Sequence, residues 1–267
     1  MVSPNPFRTR QALHHSSYSR LDGSRLVGLP GGRDPSPAHR FAHESLRATI
    51  LNFSYPCLGA QAAIRSGRYA MGLYEELASE RISQGLAYDL FEFVGEQDSW
   101  DPHLSTFIAC FTAPVALDEP AFERALWRQL QRLHELDRKH HAWDPAVSHD
   151  PTNPRFSFSF AGRAYFVVGL HAANSRWSRR FAWPTLVFNA HRQFERLRVR
   201  SRLNTMQRRI RQRDQALQGN LNPNLSEFGD ASEARQYSGR AVESAWRCPF
   251  HSPADETDGT EPREDSA

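Results

Sequence analysis

The residues best equipped for chemistry fall into three groups. Tyr55-Pro56-Cys57 lies near the front of the chain and Cys248-Pro249-Phe250 near its back. Between them, Val167-Val168-Gly169-Leu170-His171 is followed by Ser175-Arg176 and Arg179-Arg180-Phe181. Thiolates and neutral imidazoles ligate metals. Guanidinium groups hold carboxylates or phosphates through paired hydrogen bonds. His171 stands where a strand-like run gives way to a polar loop, a common place for functional side chains. It reads either as a ligand or as a hydrogen-bonded surface histidine. The neighbouring Arg176, Arg179 and Arg180 favour the first reading, because haem needs one axial donor for iron and cations for two propionates.

Cys57, Cys248 and His191 are the competing ligands. Each also has a plainer reading. The thiols pack two corners whose direction proline sets, and His191 is a polar first-turn residue of a helix capped by Asn189. No cysteine pair has zinc-finger spacing. His134, His140, His141 and His149 show no ligand spacing and read as surface residues. Cys110, inside Phe107-Ile108-Ala109-Cys110-Phe111, reads as a small buried hydrophobe.

These groups must be positioned by a chain of 267 residues, enough for one large domain or two small ones. Three cysteines are too few for a disulfide framework. No run of about 18 apolar residues suggests a membrane span, and the N-terminus lacks a secretory apolar region. The expectation is a cytoplasmic protein with no membrane partner. Net charge is +3, and Lys139 is the only lysine. Arg196, Arg198, Arg200, Arg202, Arg208, Arg209, Arg211 and Arg213 crowd one predicted helix, the best nucleic-acid signal in the chain. Interleaved aromatics are missing and Glu195 and Asp214 flank it, so it reads as a solvated face and nucleic acid is not the expected partner. No GxGxxG, GxxxxGK[ST] or GxSxG motif supports a nucleotide fold or a hydrolase.

Residues 1–38, rich in Ser, Pro, Gly and Arg, read as a disordered or loosely attached arm. The folded domain spans 39–251, and 252–267 reads as a disordered, solvated acidic tail. Within the domain the spacing predicts helices over 58–66, 76–95, about 119–140 and about 190–217. Asp118 is the cap and Pro120 a first-turn residue of the third. Strands are predicted over 68–73, 105–115 and 184–188. Phe156, Phe158 and Phe160 alternate with serines, turn at Ala161-Gly162 and return over 164–170 as a hairpin. Residues 220–239 read as an ordered loop region. The sum is a single α+β domain, an antiparallel or mixed sheet covered by helices.

Taken together, these blocks resemble the YqcI/YcgG family, proteins with FPC and CPF motifs. The resemblance covers about residues 45–250. It rests on Tyr55-Pro56-Cys57-Leu58-Gly59-Ala60, Phe158 through His171, Ser175-Arg176 with Arg179-Arg180-Phe181, and Leu186-Val187-Phe188-Asn189 with His191 and Gln193-Phe194-Glu195. Arg213-Asp214 with Leu217-Gln218-Gly219, and Ser232 through Phe250, complete it. Tyr55 replaces the first-motif Phe, and Ala172 and Ala190 stand in place of prolines. The resemblance implies a haem b enzyme that uses dioxygen and an external electron donor, supplied by a redox partner, to N-hydroxylate a guanidine-containing small molecule such as arginine. His171 is then the favoured axial ligand. Arg176, Arg179 and Arg180 pair with propionates or a substrate carboxylate. Glu227, Asp230 or Glu233 pairs with the substrate guanidinium. Two other readings stand beside it: a haem-binding sensor or carrier without turnover, and a nucleic-acid-binding protein acting through the arginine-rich helix.

Overall fold

The computed structural model describes residues 4–252 apart from 98, 101–104, 200–202 and 227–228, with only the backbone of 196–199. In chain order the elements are α1 (Arg10–His15), β1 (Ser19–Asp22), β2 (Arg25–Gly28), α2 (Pro37–Leu51), α3 (Leu58–Ser66), β3 (Tyr69–Glu76), α4 (Glu80–Gln97), β4 (Thr106–Ala113), α5 (Glu119–Asp137), β5 (Phe158–Phe160), β6 (Arg163–Leu170), a 3-10 turn (Trp177–Arg179), β7 (Thr185–Ala190), α6 (His191–Val199), α7 (Leu203–Gln218) and α8 (Ala234–Tyr237). The strands form one sheet in the order β2-β1-β3-β4-β7-β6-β5. Only β3 and β4 pair in parallel, and α4 makes the crossover that a parallel pair requires. The remaining pairs are antiparallel. The α+β class and the mixed sheet are as expected.

Period-two alternation sorts the strands between two apolar cores. Tyr69, Met71, Ile108, Cys110 and Leu170 face α2 and α3. Phe107, Phe111, Tyr165, Val167 and Phe188 face the other way, into a core shared with α4 and α5. Phe122, Leu126, Leu130 and Leu133 supply the apolar stripe of α5, and all four are fully buried. Each such side chain contributes about 1.5–3 kcal/mol through burial. The start of α5 follows its sequence signal, since Asp118 Oδ1 accepts from Ala121 N at 2.7 Å. The predicted hairpin turn also forms. Ala161 and Gly162 have φ of 52° and 68°, the left-handed pair of a primed turn.

Three expectations are corrected. From Pro4 onward the N-terminal segment is part of the fold rather than a loose arm. β1 pairs with β2 and β3 and so extends the sheet. Phe7 stacks on Phe160 at 5.3 Å, and Asp89 accepts from Ser16 Oγ at 2.5 Å and Ser17 N at 2.7 Å. Four-residue strands are too short to show a period, and their polar composition hid them. The predicted helix over 190–217 is two helices. One packs on β6 and the other against the 3-10 turn. Asn189 lies within β7 instead of capping a helix, and its amide donates to the Phe166 carbonyl at 3.2 Å. The acidic segment 253–267 lies outside the described residues.

Gly85 is what lets α1 approach α4. A Cβ there would lie 2.4 Å from the His15 carbonyl oxygen, whereas one at Gly95 on the same helix meets nothing within 4 Å. Glycine-to-alanine changes in helices ordinarily stabilise by about 0.5–1 kcal/mol. Gly95→Ala should do so, while Gly85→Ala should cost about 1–3 kcal/mol by overpacking. Chemical denaturation of both variants checks this. Equal stability changes would show that α1 does not depend on the close approach.

Candidate functional site

The sheet face opposite α4 and α5 carries a cavity of about 330 Å³. Its floor is Phe166, Val168 and Leu170 of β6 with Val187 and Asn189 of β7. Its roof is the inner face of α7, where Leu203, Met206 and Ile210 recur at helical spacing. The Tyr55-Pro56-Cys57 corner closes one side, and α6 contributes His191 and Phe194. Glu233 and Gln236, on and beside α8, close another. The chamber is thus mostly apolar with a few convergent polar groups, the usual character of a small-molecule site.

The polar groups differ in what holds them. Cys57 caps α3, its Sγ accepting from Ala60 N at 3.4 Å. Burial raises the Cys57 thiol pKa, and the Ala60 and Gly59 backbone N–H groups, with Arg179, only partly offset this. His191, the first residue of α6, is buried, with Nε2 4.0 Å from Glu195 Oε1. Arg176 is locked in place. It pairs with Asp214 of α7 and donates to Asn220 Oδ1 at 2.9 Å. Arg179 donates to the carbonyls of Gly169, Tyr237 and Gln236 at 3.1–3.3 Å. Both arginines line the cavity, while each also ties the wall together. Glu233 is 5% exposed, and the Tyr237 hydroxyl lies 2.5 Å from its Oε1. Burial pushes the Glu233 carboxyl up to about 8, against the Tyr237 hydrogen bond.

The remaining predicted site residues lie elsewhere. His171 is a correction: it does not reach the cavity. It stacks on Phe122 of α5 at 4.4 Å, on the far side of the sheet, with Asn174 Nδ2 3.2 Å from its Nε2. The alternation of β6 explains this, because Phe166, Val168 and Leu170 take the cavity face and the next residue points away. Burial lowers the His171 pKa despite the opposing pull of Glu119. Arg180 turns outward, its guanidinium 4.1 Å over the Trp177 ring and its Nε donating to the Asn174 carbonyl. Cys248 packs against the α4–α5 core, where burial pushes its thiol up to about 12. The two Cys-Pro corners therefore serve opposite faces of the sheet. Asp230 is exposed and off the cavity wall. Glu227 lies outside the described residues.

The arginine-rich helix also divides. Arg208 and Arg209 are exposed, Arg211 lines the cavity, and Arg213 donates to the Phe53 and Tyr55 carbonyls at 2.6 and 2.9 Å. Arg200, Arg202 and the side chains of Arg196 and Arg198 lie outside the described residues. His134 is buried rather than on the surface, edge-on to Phe250 and Trp143. Sequence reasoning missed the roof contributed by α7 and the pairing of Glu233 with Tyr237. The i, i+4 spacing of that pair was the available signal.

Among the described residues no group of three or more His, Cys, Asp or Glu side chains is gathered as a metal cage. Among them, too, no helix is long and apolar enough to cross a membrane. Fold and site together define a class: an α+β domain with a largely apolar chamber whose walls carry an imidazole, a thiol, a carboxyl and guanidinium groups. More particularly, the chain belongs to the YqcI/YcgG family, whose family model matches residues 46–251. That match begins within α2, so α1, β1 and β2 precede it. Comparison with curated proteins and with solved structures gives no match.

Proposed function

We propose that the cavity holds haem b and a guanidine-containing small molecule, and that the protein N-hydroxylates that molecule with dioxygen and an external electron donor. The observation that carries this reading is that His191 and Glu233 line the same apolar chamber. The donor set fits haem. Haem asks for one axial donor, an apolar slot and nearby cations. His191 is the imidazole on the wall, Phe166, Val168 and Ile210 are apolar walls, and Arg176 and Arg179 are the cations. Cys57 is the weaker axial candidate, because burial disfavours its thiolate.

When bound, the haem would supply oxygen activation. Overall, one guanidine N–H becomes N–OH and the second oxygen atom leaves as water, with two electrons from the donor and two protons. The chain's own residues bind, orient and exclude water. Glu233, uncharged in the empty chamber, gives its proton to solvent and pairs with the entering guanidinium. Tyr237 holds the carboxyl oriented. The apolar inner face of α7 keeps bulk water off the chamber.

The test is haem titration followed by absorption spectra of the reduced, carbon monoxide-treated protein. The wild type should bind one haem and give the spectrum of an imidazole ligand. His191→Ala should lose retention by at least tenfold, while His171→Ala should keep it. A thiolate-type spectrum would transfer the ligand to Cys57. No saturable binding by the wild type would end the haem reading. Saturable binding without oxygen-dependent product from guanidine substrates would leave a carrier.

A further inference from the structure

Glu233 lines the chamber, and from it three oxidisable rings lead away in a row. The Tyr237 hydroxyl donates to Glu233 Oε1 at 2.5 Å. The Tyr237 ring stacks on Trp127 of α5, with centroids 5.4 Å apart and planes 18° apart. Trp127 in turn lies 6.4 Å from Trp246, centroid to centroid. Trp246 Nε1 donates to Glu123 Oε1 at 2.6 Å. Tyr237 and Trp127 are buried and Trp246 is half-buried, so the row runs from the chamber wall to solvent on the α5 side of the molecule.

The row has no oxidisable branch among the described residues. The other rings against Tyr237 and Trp127 are Phe156, Phe166 and Phe250, and phenylalanine gives up an electron far less readily than tyrosine or tryptophan. The proton contacts also suit one-electron transfer. Loss of an electron makes a phenol strongly acidic, and Glu233 Oε1 is within reach to take that proton and return it. The buried Trp127 Nε1 has no hydrogen-bond partner, which is unusual for a buried donor. An oxidised Trp127 therefore keeps its proton and passes the electron vacancy on. Trp246 has opposite surroundings. The Arg235 guanidinium lies 5.6 Å over its ring and disfavours a second cation there. The Glu123 carboxylate, held by Arg240 at 2.6 Å, is placed to accept the Nε1 proton.

We propose that Tyr237, Trp127 and Trp246 form a relay that carries single electrons from the surface to an oxidant formed in the chamber from dioxygen or peroxide, draining oxidising equivalents that miss the substrate. The relay rests on the chamber being a site of oxidation, as proposed above. In one event Trp246 loses an electron and its Nε1 proton passes to Glu123, leaving a neutral indolyl radical, while the oxidant gains that electron. Tyr237 and Trp127 are oxidised and reduced again in passing, so neither changes overall. A small reductant of the thiol or ascorbate class then supplies one electron at half-buried Trp246, and Glu123 returns the proton.

A haem-free test puts a photo-oxidant on the chamber wall. Burial raises the thiols of Cys57, Cys110 and Cys248, so at neutral pH a maleimide carrying ruthenium tris-bipyridine should label an Arg211→Cys variant of the full chain at the new thiol. The label is then flash-oxidised with hexaammineruthenium(III) as electron acceptor. At pH 9, Glu233, which titrates at about 8, is mostly ionised, and an indolyl radical should form on Trp246. Electron paramagnetic resonance with deuterated tryptophan or tyrosine identifies the ring type. Trp127→Phe removes no hydrogen bond and should lower the indolyl yield at least tenfold, leaving a tyrosyl radical on Tyr237. Trp246→Phe, at the half-buried end, should do the same, because the vacancy then settles on Tyr237. Three results would overturn the relay: an indolyl radical unchanged by both variants, a radical confined to Tyr55 on the same chamber wall, or no protein radical. The labelled protein carries no haem, so a failed haem titration and a failed relay are read separately.

Discussion

Asp214→Ala should destabilise the protein by about 3–5 kcal/mol, the usual loss when one partner of a buried ion pair is removed. Asp214 meets the Arg176 guanidinium directly and also accepts from Ser178 Oγ at 3.1 Å. Their side chains are 11% and 7% exposed, so water cannot replace the missing carboxylate. Asn220 would still hold part of Arg176, but not its charge. The pair is one polar tie between α7 and the body, beside Arg213 on the Phe53 and Tyr55 carbonyls and Gln218 on Ser175 and Trp177. Its loss should therefore raise hydrogen exchange over 203–218 before the rest of the domain opens. Asp214→Asn keeps the acceptor oxygen and should cost less. Urea unfolding of both variants reads the energies, and a loss under about 1 kcal/mol for the alanine variant would mean that α7 is held mainly by its apolar face.

Glu233→Gln should weaken binding of a guanidinium ligand by about 100-fold at pH 8.5, because a desolvated charge pair loses one of its charges. The glutamine can still meet Tyr237, so the fold should stand. The pH profile is the sharper readout. The free carboxyl titrates at about 8, so at pH 6 and 7 it is mostly protonated and must release a proton before it can pair with a cation. Wild-type affinity should rise about tenfold per pH unit from 6 to 7 and level off above 8. In the glutamine variant that slope should vanish. Calorimetry with arginine or guanidine itself, in buffers of different ionisation enthalpy, measures both affinity and proton release. A flat wild-type profile would remove Glu233 from ligand binding, whatever the haem titration shows.

Helices with a regular apolar stripe and a cap were legible in the sequence. α5 begins at Asp118 and buries Phe122, Leu126, Leu130 and Leu133 as its spacing demands. The β5–β6 hairpin was legible for the same local reason, two alternating runs around a turn able to take positive φ. α1, β1 and β2 were not legible, since their stability comes from contacts with residues such as Asp89 and Phe160, more than 70 positions away. Within the site, Cys57, His191, Arg176, Arg179 and Glu233 were named from the sequence and line one chamber. His171, the favoured axial ligand, and Arg180, Cys248 and Asp230 were named from the sequence too and do not.

The sequence by itself determined the family, the α+β class and the stock of chemically able residues. These depend on residue types, local periods and motif order, all properties of the chain read in one dimension. Only the tertiary structure decided which of those residues share a cavity. Residues 170 and 171 are neighbours in the chain, yet strand alternation and the packing of α5 send Leu170 to the chamber floor and His171 to the Phe122 ring on the other face. Cys57 and Cys248 look like a matched pair in sequence, but the sheet lies between them. A sheet divides space into two sides, and which side a loop residue joins is set by long-range packing that no local pattern encodes.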